Sequence, residues 1–185
     1  MTLEIIGQIF GVLTTVAVVI SNQLPKRWHI MLGFMVVNAL AAINVLLTGS
    51  GLTACMACVV AVIHSPVNAY RAKKEMESPL AEKLIFSALY FVGWGIGFYL
   101  SCKSGTASWL DAMPFVATVF FVLSMLAKKE KYIRIWTLGN ALIYAVYYAI
   151  FGNIVVVAQL FAIGSVIIAL IRYRDKDPKK EEVAE

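Results

Sequence analysis

From Trp28 to Tyr70 this chain carries no charged residue, and from Ile135 to Ile171 it again carries none. Each stretch is close to twice the ~20 residues that take a helix across a bilayer. Neither can be one element, so each is expected to fold back as a helical hairpin, turning at Gly49–Gly51 and at Gly152–Asn153. Composition excludes the alternative of a water-soluble core: 61% of the 185 residues are hydrophobic and 15% charged. Soluble domains carry about a quarter charged residues.

The same logic along the whole chain predicts spans at 3–21, 29–48, 52–71, 83–101, 108–127, 132–151 and 153–172. The first, "MTLEIIGQIFGVLTTVAVVISNQ", has no basic leader and no small-residue cleavage site, and it reads as a retained span. Seven spans divide the basic residues sharply. Lys26, Arg27, Arg71, Lys73, Lys74, Lys83, Lys128, Lys129, Lys131 and Arg134 fall on one side, joined by Arg172, Arg174, Lys176, Lys179 and Lys180. Only Lys103 falls on the other. The positive-inside rule then puts the N-terminus outside and the C-terminus in the cytoplasm. The net charge of +5 is topogenic in this reading and not a nucleic-acid footprint.

Shifted by about 103 residues, the chain partly overlays itself. "TTVAVVIS" (14–21) falls on "ATVFFVLS" (117–124), "LLTGSGL" (46–52) on "AIFGNIV" (149–155) and "NAYR" (68–71) on "IRYR" (171–174). A one-residue adjustment brings "NALAAI" (38–43) onto "NALIYA" (140–145). The fold class expected is an all-α membrane protein of seven helices in a 3+1+3 parallel internal repeat. Its parts are 1–72 (first repeat), 73–104 (cytoplasmic loop and linker helix), 105–174 (second repeat) and 175–185 (charged cytoplasmic tail). Repeats around a shared axis commonly build a path with a site near the midplane. Duplication as a simple route to a stable bundle is the competing explanation.

The stretch from "GQIFGVLTTVAVV" to "VIHSPVNAYR" (7–71) resembles the YgjV-type bacterial inner-membrane proteins, through Gln and Gly in span one, a basic turn, an L-L-x-G turn and a basic end to span three. The resemblance implies a multi-pass protein of the bacterial inner membrane. Its layout is similar to that of the SWEET facilitators and the PnuC vitamin transporters. The proline-glutamine motifs of the former and the Trp-Asn signature of the latter are missing here, so neither substrate carries over.

Polar side chains inside spans are expensive and commonly face a cavity or a partner. Asn38, Asn44, Asn140 and Gln159 are the candidates for a substrate path. Trp136, Asn140, Tyr144, Tyr147 and Phe151 recur at helical spacing and share one face. An asparagine among rings suits a flat polar solute, and equally a packed seam closed by one interhelical hydrogen bond. Asn38 and Asn44 lie about 120° apart on their helix and are not expected to face one path together. In span three, His64 and Asn68 flank Pro66, which removes a backbone donor and would bend the helix there. Span seven has no such cluster, so His64 and Asn68 read as a one-sided inner wall or gate with Pro66 as its hinge, against the simpler reading of a hydrated kink. Gln8 and Asp111 correspond under the repeat as outer-end polar residues, one turn from Glu4 in the first case. Ser165 is a further deep polar residue, and Gly7-x-x-x-Gly11 and Gly93-x-x-x-Gly97 read as close helix contacts.

No enzyme is expected. Only His64 among the histidines lies within a span, and no nucleophile with its base or converging ligand set is visible. Cys55, Cys58 and Cys102 form no disulfide framework; Cys55 and Cys58 have C-x-x-C spacing but sit within an apolar helix as packing residues. No metal or other cofactor and no nucleic acid is expected. The partners are membrane lipid and a small polar solute, and a homo-oligomer is compatible with the sequence. The function expected is an inner-membrane facilitator working by alternating access between the repeats, with a non-transporting scaffold or regulator as the rival.

Overall fold

The computed structural model describes residues 2–48, 52–105, 108–150 and 155–173. The expected turns at Gly49–Gly51 and Gly152–Asn153, Phe151 and the tail 175–185 lie outside the described residues. The described chain is helical, as backbone in hydrocarbon must be when it cannot bond to water. Seven α-helices follow in order: α1 (Thr2–Gln23), α2 (Arg27–Thr48), α3 (Leu52–Lys73), α4 (Leu80–Lys103), α5 (Ala112–Leu126), α6 (Glu130–Ile150) and α7 (Val155–Arg172). A 3-10 turn, Trp109–Asp111, leads into α5. Most helices reach two or three residues beyond the expected spans, into the basic turns, where charged side chains tolerate helix as well as loop.

The helix ends follow local chemistry. Pro25 disfavours helix at the preceding residue, and α1 stops at Gln23. Helix α3 closes with a Schellman motif: Met76 N–H donates to Arg71 O at 2.9 Å and Glu75 N–H to Ala72 O at 3.3 Å. Glu75 takes the left-handed φ of 56° that the motif demands. Gly105 does the equivalent after α4, at φ 71°. Before α5, Ser108 and Asp111 form a capping box.

Among the described residues, four helices are long and apolar enough to cross a bilayer: Leu3–Gln23, Arg27–Thr48, Leu80–Lys103 and Trp109–Leu126, with Val156–Arg172 apolar but shorter. Helices α3 and α6 are diluted by His64, Ser65, Asn68 and Arg71 in one and by Lys131, Arg134 and Asn140 in the other. The apolar residues point outward. On α1, Ile5, Ile9, Val12, Val16 and Ile20 form an exposed stripe, while Gly7 and Gly11 face α2 so closely that a Cβ on Gly7 would lie 2.7 Å from Thr48 Cγ2. Gly93 meets Met56 of α3 at ordinary contact distance.

Neighbouring helices pack in chain order, α7 packs back on α1, and α3 also touches α5. Six helices therefore close a ring, with α4 bridging α3 and α5 from outside. Three helix bounds recur at an offset of 103 residues: α1 and α5 end at 23 and 126, α2 and α6 begin at 27 and 130, α3 and α7 begin at 52 and 155. The turns agree in detail. His29 N–H donates to Lys26 O and Tyr132 N–H to Lys129 O, both at 3.0 Å. Leu24 N–H to Ser21 O and Ala127 N–H to Ser124 O are both 3.3 Å. Helices α2 and α6 begin 103 residues apart and end 102 apart, at 48 and 150.

Candidate functional site

A cavity of about 160 Å³ lies inside the ring, and its described lining comes from α1, α2, α3, α5, α6 and α7, none of it from α4. The lining follows the same offset: Thr15 and Thr118, Val18 and Phe121, Phe34 and Thr137, Ala41 and Tyr144, Val45 and Tyr148. At each pair the two sides present different chemistry, except at the threonines. Their hydroxyls donate to carbonyls one turn back, Thr15 to Gly11 O at 3.1 Å and Thr118 to Pro114 O at 2.8 Å.

Of the expected path residues, Asn38, Asn140, Tyr144 and Gln159 line this cavity. Asn38 donates to Phe34 O at 2.7 Å, and Asn140 crosses to α5 to donate to Ala117 O at 2.8 Å. Tyr144 and Tyr148 stack at 5.8 Å with an interplanar angle of 20°. Asn44 is turned away, donating to Gly7 O at 2.6 Å, so its amide ties α2 to α1. Trp136 packs on Phe120, and Tyr147 lies against Tyr148 and within electrostatic reach of Asp111; neither is in the described lining. Cys58 lines the cavity, whereas Cys55 is buried with Ala42 and Val45 between α2 and α3.

His64 and Asn68 do not line the cavity. They are 2% and 1% exposed, which is also far too buried for a hydrated kink. Asn68 Nδ2 approaches His64 Nε2 at 3.0 Å and donates to Met125 O at 3.2 Å. His64 Nδ1 meets Tyr90 Oη at 3.3 Å, and its ring stacks on Phe86 at 4.0 Å. Because an amide N–H can only donate, His64 Nε2 is the acceptor and the imidazole is the neutral Nδ1–H tautomer. The cluster is a polar seam among α3, α4 and α5. It holds the bridging helix on the ring, together with the forked Arg71–Glu82 pair, whose Nε bonds are 2.8 and 2.9 Å. Helix α3 continues through Pro66.

A second polar seam was not visible in the sequence. Asn22 Nδ2 donates to Ser165 Oγ at 2.9 Å and Gln23 Nε2 to Ser165 O at 2.7 Å, joining α1 to α7. Arg134, only 3% exposed, donates through Nη2 to Leu24 O at 2.8 Å and stacks over Tyr173 at 4.6 Å. Tyr173 Oη donates to Gln23 O at 2.9 Å. A cation against the carbonyl end of α1 is the arrangement the helix dipole favours. Arg134 read as a loop charge; the signal available was its place one turn inside α6, on the side of buried Ile133.

These contacts gather at the end where the basic turns meet. Glu130 there accepts from Arg27 N–H at 3.2 Å, and Lys128 binds Glu77, which holds that exposed carboxyl below its usual pKa. At the opposite end, Asp111 is buried and accepts from Ser108 N–H at 2.8 Å, a capping role. Gln8 and Glu4 are exposed.

A family model described as bacterial inner membrane protein, Imp-YgjV, matches residues 5–177. Among curated proteins and among solved structures nothing matches the chain.

Proposed function

Because the chain belongs to the Imp-YgjV family of bacterial inner membrane proteins, we propose that it is a facilitator that passes a small polar metabolite through the cavity between two halves of a duplicated bundle. The halves are 1–72 and 105–174, parallel repeats joined by α4. All seven helices cross the membrane, α3 and α6 being carried across by their partners despite their polar residues. The basic end is cytoplasmic, with the N-terminus outside. The protein performs no covalent chemistry in this reading.

One observation carries the proposal: the residues around the cavity come from both halves, and fourteen of the twenty in the described lining fall in pairs 103 residues apart. A path on the axis of a repeat is the arrangement in which rocking one half against the other exposes the site to each side in turn. The polar seams support the same reading. Asn22–Ser165, Arg134–Leu24 and Asn68–Met125 each join one half to the other. All lie toward the basic end, where in this reading they close the bundle to the cytoplasm. His64 and Asn68 thus serve as part of an inner closure and not as a wall touched by solute.

The test is solute flux into proteoliposomes across a broad panel of small metabolites, with Asn38→Ala and Asn140→Ala as controls. Flux that falls in both variants while their thermal stability stays within a few degrees supports the proposal. A chain that neither moves nor is thermally stabilised by any solute is a scaffold or regulator instead.

A further inference from the structure

The cavity's threonine hydroxyls are committed as donors to their own helices. Thr14, Thr15, Thr118 and Thr137 each donate their hydroxyl hydrogen to a backbone carbonyl one turn back, at 2.8, 3.1, 2.8 and 2.8 Å. What these side chains turn toward a solute is lone pairs. Asn38 and Asn140 likewise have an amide N–H engaged on Phe34 O and Ala117 O, and no protein donor among the described residues reaches their carboxamide oxygens. Gln159 adds an amide with no protein partner in the described chain; its N–H bonds, the second N–H of each asparagine and the hydroxyls of Tyr144 and Tyr148 are the donors of the lining. A buried acceptor left without a donor costs about 1–3 kcal/mol, so a solute without N–H or O–H groups would lose that at several points.

Charge is the second constraint. No Asp, Glu, Lys, Arg or His occurs in the described lining. An ion moved from water into such a space loses hydration worth several kcal/mol without a counter-charge in return. The volume, about 160 Å³, is below the ~300–1,000 Å³ of drug-sized sites, and the stacked Tyr144–Tyr148 pair suits a flat body.

Resting on the transport site proposed above, we infer that the cavity selects small uncharged solutes that both donate and accept hydrogen bonds, such as primary amides, and turns away carboxylates and amidiniums. Binding is read separately from flux through Cys58, which lines the cavity. In full-length protein carrying Cys55→Ala and Cys102→Ala, reconstituted in liposomes, the rate of N-ethylmaleimide reaction at Cys58 is measured with acetamide, acetate and acetamidinium. The larger set benzamide, benzoate and benzamidinium follows. At ten times its Kd an amide should slow labelling about tenfold, while the carboxylates and the amidiniums at the same concentration leave it nearly unchanged. Asn140→Asp should move protection from the amides to the amidiniums. Thermal shifts with the same six compounds give a second readout that does not depend on thiol reactivity. Protection or stabilisation by a carboxylate or amidinium equal to that by its amide overturns the inference, as does no effect of any amide on either readout. Amide protection without amide flux leaves the selectivity standing and removes the transport reading.

Discussion

Asn22 on α1 donates its amide hydrogen to the hydroxyl of Ser165 on α7 at 2.9 Å, with both side chains buried. This single bond joins helices from opposite ends of the sequence and lies beside Arg134, which binds the carbonyl end of α1. Asn22→Leu removes the donor and leaves Ser165 Oγ without it; a loss of about 1–3 kcal/mol is expected, read as a lowered thermal midpoint in detergent. If the seam is also the inner closure, Cys58 in the same variant should react faster with a thiol reagent supplied from the basic side. An unchanged labelling rate would reduce the seam to a stability element.

The His64 cluster predicts a different pattern. Tyr90→Phe deletes one buried hydroxyl and should cost about 1–2 kcal/mol. His64→Ala also removes the ring stacked on Phe86 and strands Asn68, so about 2–4 kcal/mol is expected. Since neither residue lines the cavity, the order of preference among solutes should be the same in both variants as in the parent. A changed preference would put His64 back on the path.

Close packing of α1 on α2 is testable at Gly33. A Cβ there would collide with Ser21 Oγ and lie 3.2 Å from Ser21 Cα. Gly33→Ala should destabilise by about 1–3 kcal/mol. Adding Ser21→Gly should recover most of it, because the obstruction is the serine side chain. Failure of the double variant to recover would place the strain elsewhere in the seam.

Topology follows from the basic end. A reporter active only outside the cytoplasm, fused after Gly105, should be active, and fused after Lys129 it should be silent. The reverse pattern would contradict the cytoplasmic assignment of Lys128, Lys129 and Lys131.

Where the helices lie was readable because apolar run length is a local property. The helix starts at 27 and 130 stand 103 apart, the offset at which "TTVAVVIS" falls on "ATVFFVLS" in the sequence. Site residues divided by distance of partner. Asn140, Tyr144 and Gln159 could be found because a polar or aromatic stripe marks a helix face. Thr15 and Thr118 were less visible, since threonine in a span satisfies itself on its own helix and looks inert. Asn44 and Asn38 are chemically identical and six residues apart, and only the position of α1 sends one to Gly7 O and leaves the other on the cavity.

The sequence by itself therefore determined the seven helices, the membrane as their solvent and the gathering of charge at one end. Each of these depends on hydropathy and charge summed along the chain. Only the tertiary structure decided that α7 closes on α1, that α4 stands outside the ring, and that "VIHSPVNAYR" binds helices together and does not line the cavity. Those outcomes depend on which faces meet across more than a hundred residues, and a buried polar group reveals its role only through the partner that satisfies it.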